Sequence, residues 1–242
     1  MAHFYLVDPA TELVVGGFVA LDGAEGRHAA TVSRIRVGEE LKVGNGQGAI
    51  GVGPVTSTGK NSLTVRIDHV EVGTKQSPEL VLIQALAKTD RDERAVEMAT
   101  ELGVDRVLPW MAERSISRWD ESKAEKGRQK WQAIAREASK QSIRAFVPEV
   151  EPVSSVVGML SVFAPTQLLV LDPTGDISLS AAVLDTAVVA MVVGPEGGIT
   201  EPELAQFRAA GAQIVTMGAN VLRTSTAGPA AIAVLNARLG RL

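Results

Sequence analysis

The chain has 242 residues, 45% of them hydrophobic, 21% charged and only 4% aromatic, a balance that suits one or two globular domains with cores of Val, Leu, Ile and Ala. It has no cysteine, which excludes disulfides, cysteine-ligated zinc and a thiol nucleophile. The net charge of −4 argues mildly against nucleic acid, yet nine Lys/Arg stand against four Asp/Glu between Arg114 and Arg144, and a local basic patch can still bind phosphates.

The N-terminus, Met1-Ala2-His3-Phe4-Tyr5, lacks the basic region and apolar core of a secretory leader. Apolar runs such as residues 187–193 are far too short to span a bilayer. A cytoplasmic protein with no membrane partner is expected. Residues 1 to about 73 read as β. Leu41-Lys42-Val43 precedes a glycine-rich turn, residues 44–48, and residues 63–67 alternate apolar and polar. Gly38, Gly51, Gly53, Pro54, Gly59 and Asn61 punctuate short runs, the pattern of a small barrel. Residues 28–37 are the one stretch there that reads as helical.

Residues 73–78, Gly-Thr-Lys-Gln-Ser-Pro, form a turn-rich linker, so domains are expected over 1–73 and 74–242. Beyond it, residues 80–86 read as an apolar strand. Ala95, Met98, Ala99 and Leu102 recur at helical spacing within a helix over 94–102, and Gly103 supplies its stop. A strand at 104–109 and a long polar helix over 122–144 follow, with Trp131 and Ile134 on the apolar side of that helix. Strands are expected at 167–171, 188–193 and 213–216. Thr200 with Glu203 makes a capping box for a helix over 201–210, and residues 227–239 form the last helix. Strands alternating with helices argue for an α/β fold with a parallel sheet.

Several formal motifs fail on context. Gly46-Gln47-Gly48-Ala49-Ile50-Gly51 fits G-x-G-x-x-G, but Gly53 and Pro54 follow where a dinucleotide site needs a helix. Gly59-Lys60-Asn61 lacks the spacing and the hydroxyl of a P-loop. His3, His28 and His69 show no metal-ligand spacing, so no metal is expected. Ser139 and Ser225 lack the elbow of a serine hydrolase.

Two apolar runs end instead at glycine-rich turns that lead toward helices: Gly194-Pro195-Glu196-Gly197-Gly198-Ile199, and Met217-Gly218-Ala219-Asn220-Val221-Leu222-Arg223-Thr224. They read as two walls of one ligand site, because ligands of open α/β sheets bind beyond the carboxyl ends of strands and glycine lets backbone approach them closely. Glu196 is a carboxylate inside such a turn, suited to capping a backbone N–H, binding a ribose hydroxyl or working at a target base. Arg223 is either a surface ion-pair partner or a cation beside a phosphate or oxyanion. Lys140, Gln141 and Arg144 share about one helical turn, either a solvated helix end or an RNA-facing edge on which Gln141 reads a base. Arg114 and Arg118 flank Ser115-Ile116-Ser117 and suit phosphates.

The pentapeptide Gly194-Pro195-Glu196-Gly197-Gly198 with Leu222-Arg223-Thr224 resembles the signatures of the RsmE-type 16S rRNA (uracil-N3) methyltransferases, of the SPOUT superfamily. Segments 84–88, 99–104 and 137–144, and His28 with Arg34, Arg36 and Gly38, also fit. The chain departs from the pattern at Ser225, where the family often has Glu, and at Asn220, where it often has Arg. The resemblance implies a SPOUT-type sheet with a C-terminal trefoil knot, which nothing in the periodicity indicates, and an N-terminal PUA-like barrel that binds RNA. It implies S-adenosylmethionine held by Leu171 and Asp172, by Val193, Gly194, Pro195, Gly197, Gly198 and Ile199, and by Met217, Gly218, Val221 and Leu222. Arg223 and Glu196 are the implied catalytic residues, Arg114, Arg118, Lys140, Gln141 and Arg144 the implied RNA contacts, and a homodimer acting on 16S rRNA of the small subunit the implied assembly. The alternatives are methylation of another RNA atom, such as a ribose 2′-hydroxyl, and a non-catalytic RNA-binding assembly factor.

Overall fold

The computed structural model describes residues 3–163 and 166–241. The first two residues of the stretch inspected for a leader, and the outer domain limits at 1 and 242, lie outside the described residues. The chain forms two compact units, one joining residues up to Lys75 with Ser139–Val147, the other joining Gln76–Ala138 with the chain from Pro148 onward.

In the first unit, β1 (Phe4–Leu6) pairs in parallel with β3 (Glu40–Gly44); β2 (Phe18–Leu21), β4 (Ala49–Thr58), β5 (Leu63–Arg66) and β6 (His69–Val72) add antiparallel pairings. The sheet runs β1-β3-β4-β5-β2, with β6 also on β4. Leu63 and Val65 face the core while Arg66 faces out, the alternation expected of a half-buried strand. The helical segment is α1 (Gly23–Arg27), continued by a π-helical turn at His28–Val32. It starts and stops earlier than residues 28–37 suggested, because Arg34 enters the left-handed region at φ 55°.

The expected punctuation at Gly51, Gly53 and Pro54 is corrected: all three lie inside the ten-residue β4. A Cβ on Gly53 would stand 1.9 Å from the carbonyl oxygen of Arg66, and one on Gly51 2.9 Å from Ile67 Cδ1. These glycines serve close approach of neighbouring segments, not turns. The turn itself is residues 45–48, where the Asn45 side chain accepts from the amides of Gln47 and Ala49.

The second unit is built on a seven-stranded, all-parallel sheet: β7 (Glu79–Ala85), β8 (Arg106–Trp110), β9 (Glu149–Val150), β10 (Gln167–Leu171), β11 (Ile177–Ser178), β12 (Val188–Val193) and β13 (Gln213–Thr216), ordered β11-β13-β10-β12-β7-β8-β9. β7 and β12 are apolar on both faces and nearly wholly buried, as strands covered by helices on two sides must be. The helices are α2 (Arg91–Glu101), α3 (Glu121–Gln141), α4 (Val156–Phe163), α5 (Glu201–Ala209) and α6 (Thr224–Arg238); the last three residues of α3 fall in the first unit.

Three helix expectations shift and one helix was not expected. α3 ends at Gln141 rather than at 144, since Ile143 enters the left-handed region at φ 54°, which leaves Arg144 outside the helix. α2 begins at Arg91, since its polar first turn carries no apolar period, and it buries Ala95, Val96 and Ala99 with Met98 only at the flank. α4 had no counterpart in the sequence reading: Val156, Met159 and Phe163 are buried, but exposed Val157 and Val162 erase the contrast between its faces. α6 begins at Thr224, its start hidden by small polar residues and by Gly228 and Pro229. Gly228 is needed there because a Cβ would lie 2.7 Å from Leu82 Cδ1 of β7.

Candidate functional site

A parallel sheet brings the carboxyl ends of its strands to one edge. β10 ends there in Leu171-Asp172-Pro173, β12 in the turn of residues 194–199, and β13 in the loop of residues 217–223. Each turn has a local cause. The Asp172 carboxylate accepts from the Thr174 amide (2.9 Å) and hydroxyl (2.6 Å). Gly198 (φ 74°) and Gly218 (φ 101°) occupy the left-handed region, where a side chain is strained. The Thr200/Glu203 capping box is present in full and starts α5.

Two cavities open at this edge. The smaller, about 200 Å³, is walled by residues 171–173, Val215, Ala227 and the loop of residues 217–222. The larger, about 410 Å³, shares residues 171–173, Val221, Leu222 and Ala227 with it, and adds Arg91, Val193, Gly194, Pro195, Glu196, Gly198, Ile199, Arg223 and Thr224. The shared walls make them two lobes of one cleft. Of the residues expected at a cofactor, Leu171, Asp172, Val193, Gly194, Pro195, Gly198, Ile199, Met217, Gly218, Val221 and Leu222 line one lobe or both. Gly197 lines neither; its carbonyl accepts from Arg114 Nη1 at 3.0 Å, and a Cβ there would stand 3.0 Å from Arg114 Cβ.

The cleft is held from behind by buried polar groups. Gln84, at the end of β7, donates from Nε2 to Thr224 Oγ1 (2.8 Å), and the Thr224 hydroxyl donates to the Gly194 carbonyl (2.8 Å). Trp110 Nε1 donates to the Val193 carbonyl at 2.9 Å. These bonds tie three strand ends and the start of α6 to one another. In the sequence Thr224 stands out only as part of Leu222-Arg223-Thr224, and Trp110 belongs to no motif. The signal available was a lone Gln ending an otherwise apolar strand.

Glu196 lines the larger lobe. Its Oε1 accepts from the Lys88 amide (3.1 Å) and from Arg91 Nη1 (3.0 Å). Burial by itself would raise the Glu196 pKa, but its own amide, the Lys88 amide and the Arg91 guanidinium outweigh burial and hold it below the usual carboxylate value. Arg223 caps α6, and its exposed guanidinium has no hydrogen bond or ion pair among the described residues. The lobe therefore carries one neutralised arginine, Arg91, and one uncompensated one, Arg223.

The five residues expected at RNA divide between the two units. Arg114 and Arg118 lie in the second unit, on the loop before α3; Lys140, Gln141 and Arg144 lie in the first. Arg118 donates to the Glu113 carbonyl (2.7 Å), and the Glu113 amide donates to Glu203 Oε1 (2.8 Å), which fixes that loop against α5. Lys140 is engaged with Glu25 at 2.9 Å, the two side chains only 13% and 19% exposed. Gln141 is exposed and Arg144 half-buried. Elsewhere in the basic stretch, Lys123 and Arg128 pair with Asp120 and Glu125, which the +5 balance already counts, while Lys130 pairs with Glu93 from outside it.

Among the described residues no group of three or more His, Asp or Glu is placed to hold a metal ion, and no helix is long and apolar enough to cross a membrane. A family model of the RNA methyltransferase domain matches residues 75–236, and one of the RNA methyltransferase PUA domain matches residues 21–68. The chain is 37% identical to the ribosomal RNA small subunit methyltransferase E of Mycobacterium bovis, over 100% of this chain and 94% of that one. It is 29% identical to the Bacillus subtilis protein of the same name, over 86% and 85%. The crystal structure of a ribosomal RNA small subunit methyltransferase E from Neisseria gonorrhoeae, bound to S-adenosylmethionine, superposes with a TM-score of 0.89 at 31% identity, covering 98% of each chain.

Proposed function

From a chain that belongs to the ribosomal RNA small subunit methyltransferase E family, we propose an S-adenosylmethionine-dependent enzyme that methylates N3 of a uridine in 16S rRNA. The observation that carries this reading is the two-lobed cleft at the carboxyl edge of the parallel sheet, with the unpaired Arg223 on its larger lobe. The residues suit the cofactor. The smaller lobe is walled mostly by apolar side chains and by the backbone of residues 217–222, and Gly194 could take no side chain without a Cβ 2.7 Å from Ile199 Cγ1. Residues 171–172, 193–199 and 217–222 would hold the cofactor largely through backbone groups. S-adenosylmethionine supplies an electrophilic methyl group on a sulfonium.

Uracil N3–H is a weak acid and must lose its proton before or during attack. A cation beside a uracil oxygen lowers the energy of the anion that results. Arg223 is the group in position for that, because no carboxylate neutralises it. Glu196 is already engaged by Arg91 and the Lys88 amide, which suits it to ordering the cofactor turn. Residues 1–73, with their PUA match, are proposed to close as an RNA-docking barrel to which Ser139–Val147 adds, and the rest of residues 74–242 to form a SPOUT domain with a trefoil knot. Arg114 and Arg118 in the second unit, and Gln141 and Arg144 in the first, are proposed to face the rRNA, with Lys140 bracing Glu25 within the first unit. A cytoplasmic homodimer completes the reading; apolar Val221, at the cleft and 78% exposed, is a residue that a second copy would cover.

The test is methyl transfer to purified small ribosomal subunits, with mass spectrometry of the rRNA nucleosides. Arg223→Ala should lower the single-turnover rate by about a hundredfold or more with cofactor affinity little changed, the loss typical of one electrostatic donor. Arg223→Lys should rescue in part, because an ammonium does not reproduce the planar fork. A parental rate for the alanine variant would make Arg223 structural.

A further inference from the structure

Arg91 lines the larger lobe, yet neither the sequence motifs nor the reaction as described gives it a task. Its guanidinium and the Lys88 amide converge on one oxygen, Oε1 of Glu196. Lys88 sits in the segment between β7 and α2 and Arg91 is the first residue of α2, while Glu196 sits in the turn after β12. β7 and β12 are neighbours in the sheet, so the contact joins the segments that follow two adjacent strands, at the lobe that Arg91 and Glu196 both line.

The segment that presents the donors is stiff. Thr89, between them, has φ 58°, a conformation that a β-branched residue adopts only where its surroundings impose it. Its hydroxyl donates to the Lys88 carbonyl at 2.6 Å. On one side, the Ala87 amide donates to Oδ2 of the buried Asp92 at 3.0 Å. On the other, α2 begins at Arg91 itself. The Arg91 and Glu196 side chains are 36% and 23% exposed, so the pair is partly screened from water, and the second donor adds to what a lone surface ion pair would give.

We propose that Arg91 is a positioning residue for the cofactor: through Glu196 it sets the turn of residues 194–198 before ligand arrives. This rests on reading the cleft as the cofactor site, and the test separates the two. Calorimetry would measure S-adenosylmethionine affinity for the parent protein, Arg91→Met, Arg91→Lys, Glu196→Gln and the double variant Arg91→Met/Glu196→Gln. Amide hydrogen exchange at residues 194–198 would be followed in the cofactor-free proteins. Arg91→Met should raise Kd by roughly tenfold, the scale of one hydrogen bond to a charged group, and should speed exchange in that turn. Arg91→Lys should stay within about threefold of the parent, because the charge is kept and only the fork is lost. The double variant should bind no more weakly than the worse single, since both changes remove the same contact.

Parental affinity and parental exchange in Arg91→Met would overturn the proposal. So would additive losses in the double variant, or a loss confined to RNA affinity, which would give Arg91 to the nucleic acid instead. Failure of the parent protein to bind S-adenosylmethionine would sink the cofactor reading itself, and the exchange measurement would still decide whether Arg91 orders the turn.

Discussion

Replacing Thr224 with Val should destabilise the second unit far more than the loss of a hydroxyl from a surface would. Thr224 is 6% exposed and Val has nearly its shape, so little packing changes. The hydroxyl, however, both accepts from Gln84 Nε2 and donates to the Gly194 carbonyl, each at 2.8 Å. Removing it takes away the donor to the part-buried Gly194 carbonyl and weakens the satisfaction of one buried amide, which keeps a 3.2 Å bond to the Ala85 carbonyl. Gln84 Oε1 already lacks a partner, so the amide has no better arrangement to turn to. At about 1–3 kcal/mol for each buried group left unpaired, the expected loss is about 2–4 kcal/mol. For a chain of this size that lowers Tm by about 5–15 °C. Thr224→Ser keeps the hydroxyl and should lose only about 1 kcal/mol, for one methyl. Calorimetric melting and urea unfolding of both variants would measure this. A loss below about 1 kcal/mol for the valine variant would refute the claim that this hydroxyl holds the cleft together.

Three further outcomes are expected. Lys140→Ala should destabilise the first unit by about 3 kcal/mol, because it strands the part-buried Glu25 carboxylate; urea unfolding followed at Tyr5 would read it. Gly53→Ala should cost about 3 kcal/mol or more, since its Cβ would stand 1.9 Å from a backbone oxygen; its melting temperature against that of a Gly16→Ala control, where nothing lies within 4 Å, would separate steric conflict from backbone strain. The Glu196 pKa is depressed in the folded protein, so its stabilising share is full above the ordinary value of about 4.5 and is lost as pH falls through the lowered folded value. Glu196→Gln should therefore flatten the acid side of the stability profile, read by melting between neutral pH and that limit.

The sequence was most legible where one physical rule acted alone. β10, β12 and β13 fall at the expected residues, because continuous apolar runs bounded by turn residues leave a buried parallel strand few alternatives. The capping box at Thr200 is equally local: two side chains three residues apart satisfy each other's backbone. Legibility failed where the cause was tertiary. Gly51 and Gly53 look like breakers in sequence, but the need for glycine comes from Arg66 and Ile67, which only the sheet brings near. α4 was hidden because two of its valines face away from the core. The cleft shows the same division. Its walls were visible as glycine-gated strand ends, while the groups that brace it, Gln84, Trp110 and Arg91, come from strands and helices far away in sequence. Net charge along the basic stretch counts residues but not partners: Lys140 pairs with Glu25, more than a hundred positions away.

The two arginines of the larger lobe point to how the reaction can be assisted. A carboxylate is a useful proton acceptor when its pKa approaches the pH of the medium. Glu196 moves the other way: its own amide, the Lys88 amide and Arg91 together outweigh burial and favour the ionised form. Making it a better base would require removing the contacts that hold the turn of residues 194–198. Arg223 has no such partner, so its charge is available to whatever enters the lobe. In the proposed reaction, loss of the uracil proton would be assisted by stabilising the anion left behind, with the proton passing to solvent, and the pH dependence of the single-turnover rate is the discriminating quantity. Assistance from a cation predicts a rate that rises with pH toward the intrinsic acidity of uracil N3–H, displaced downward by Arg223, with the rise moving to higher pH in Arg223→Ala. A protein base with the depressed pKa of Glu196 predicts a rate already level at neutral pH, and an Arg223→Ala variant that is slower without any displacement of the profile.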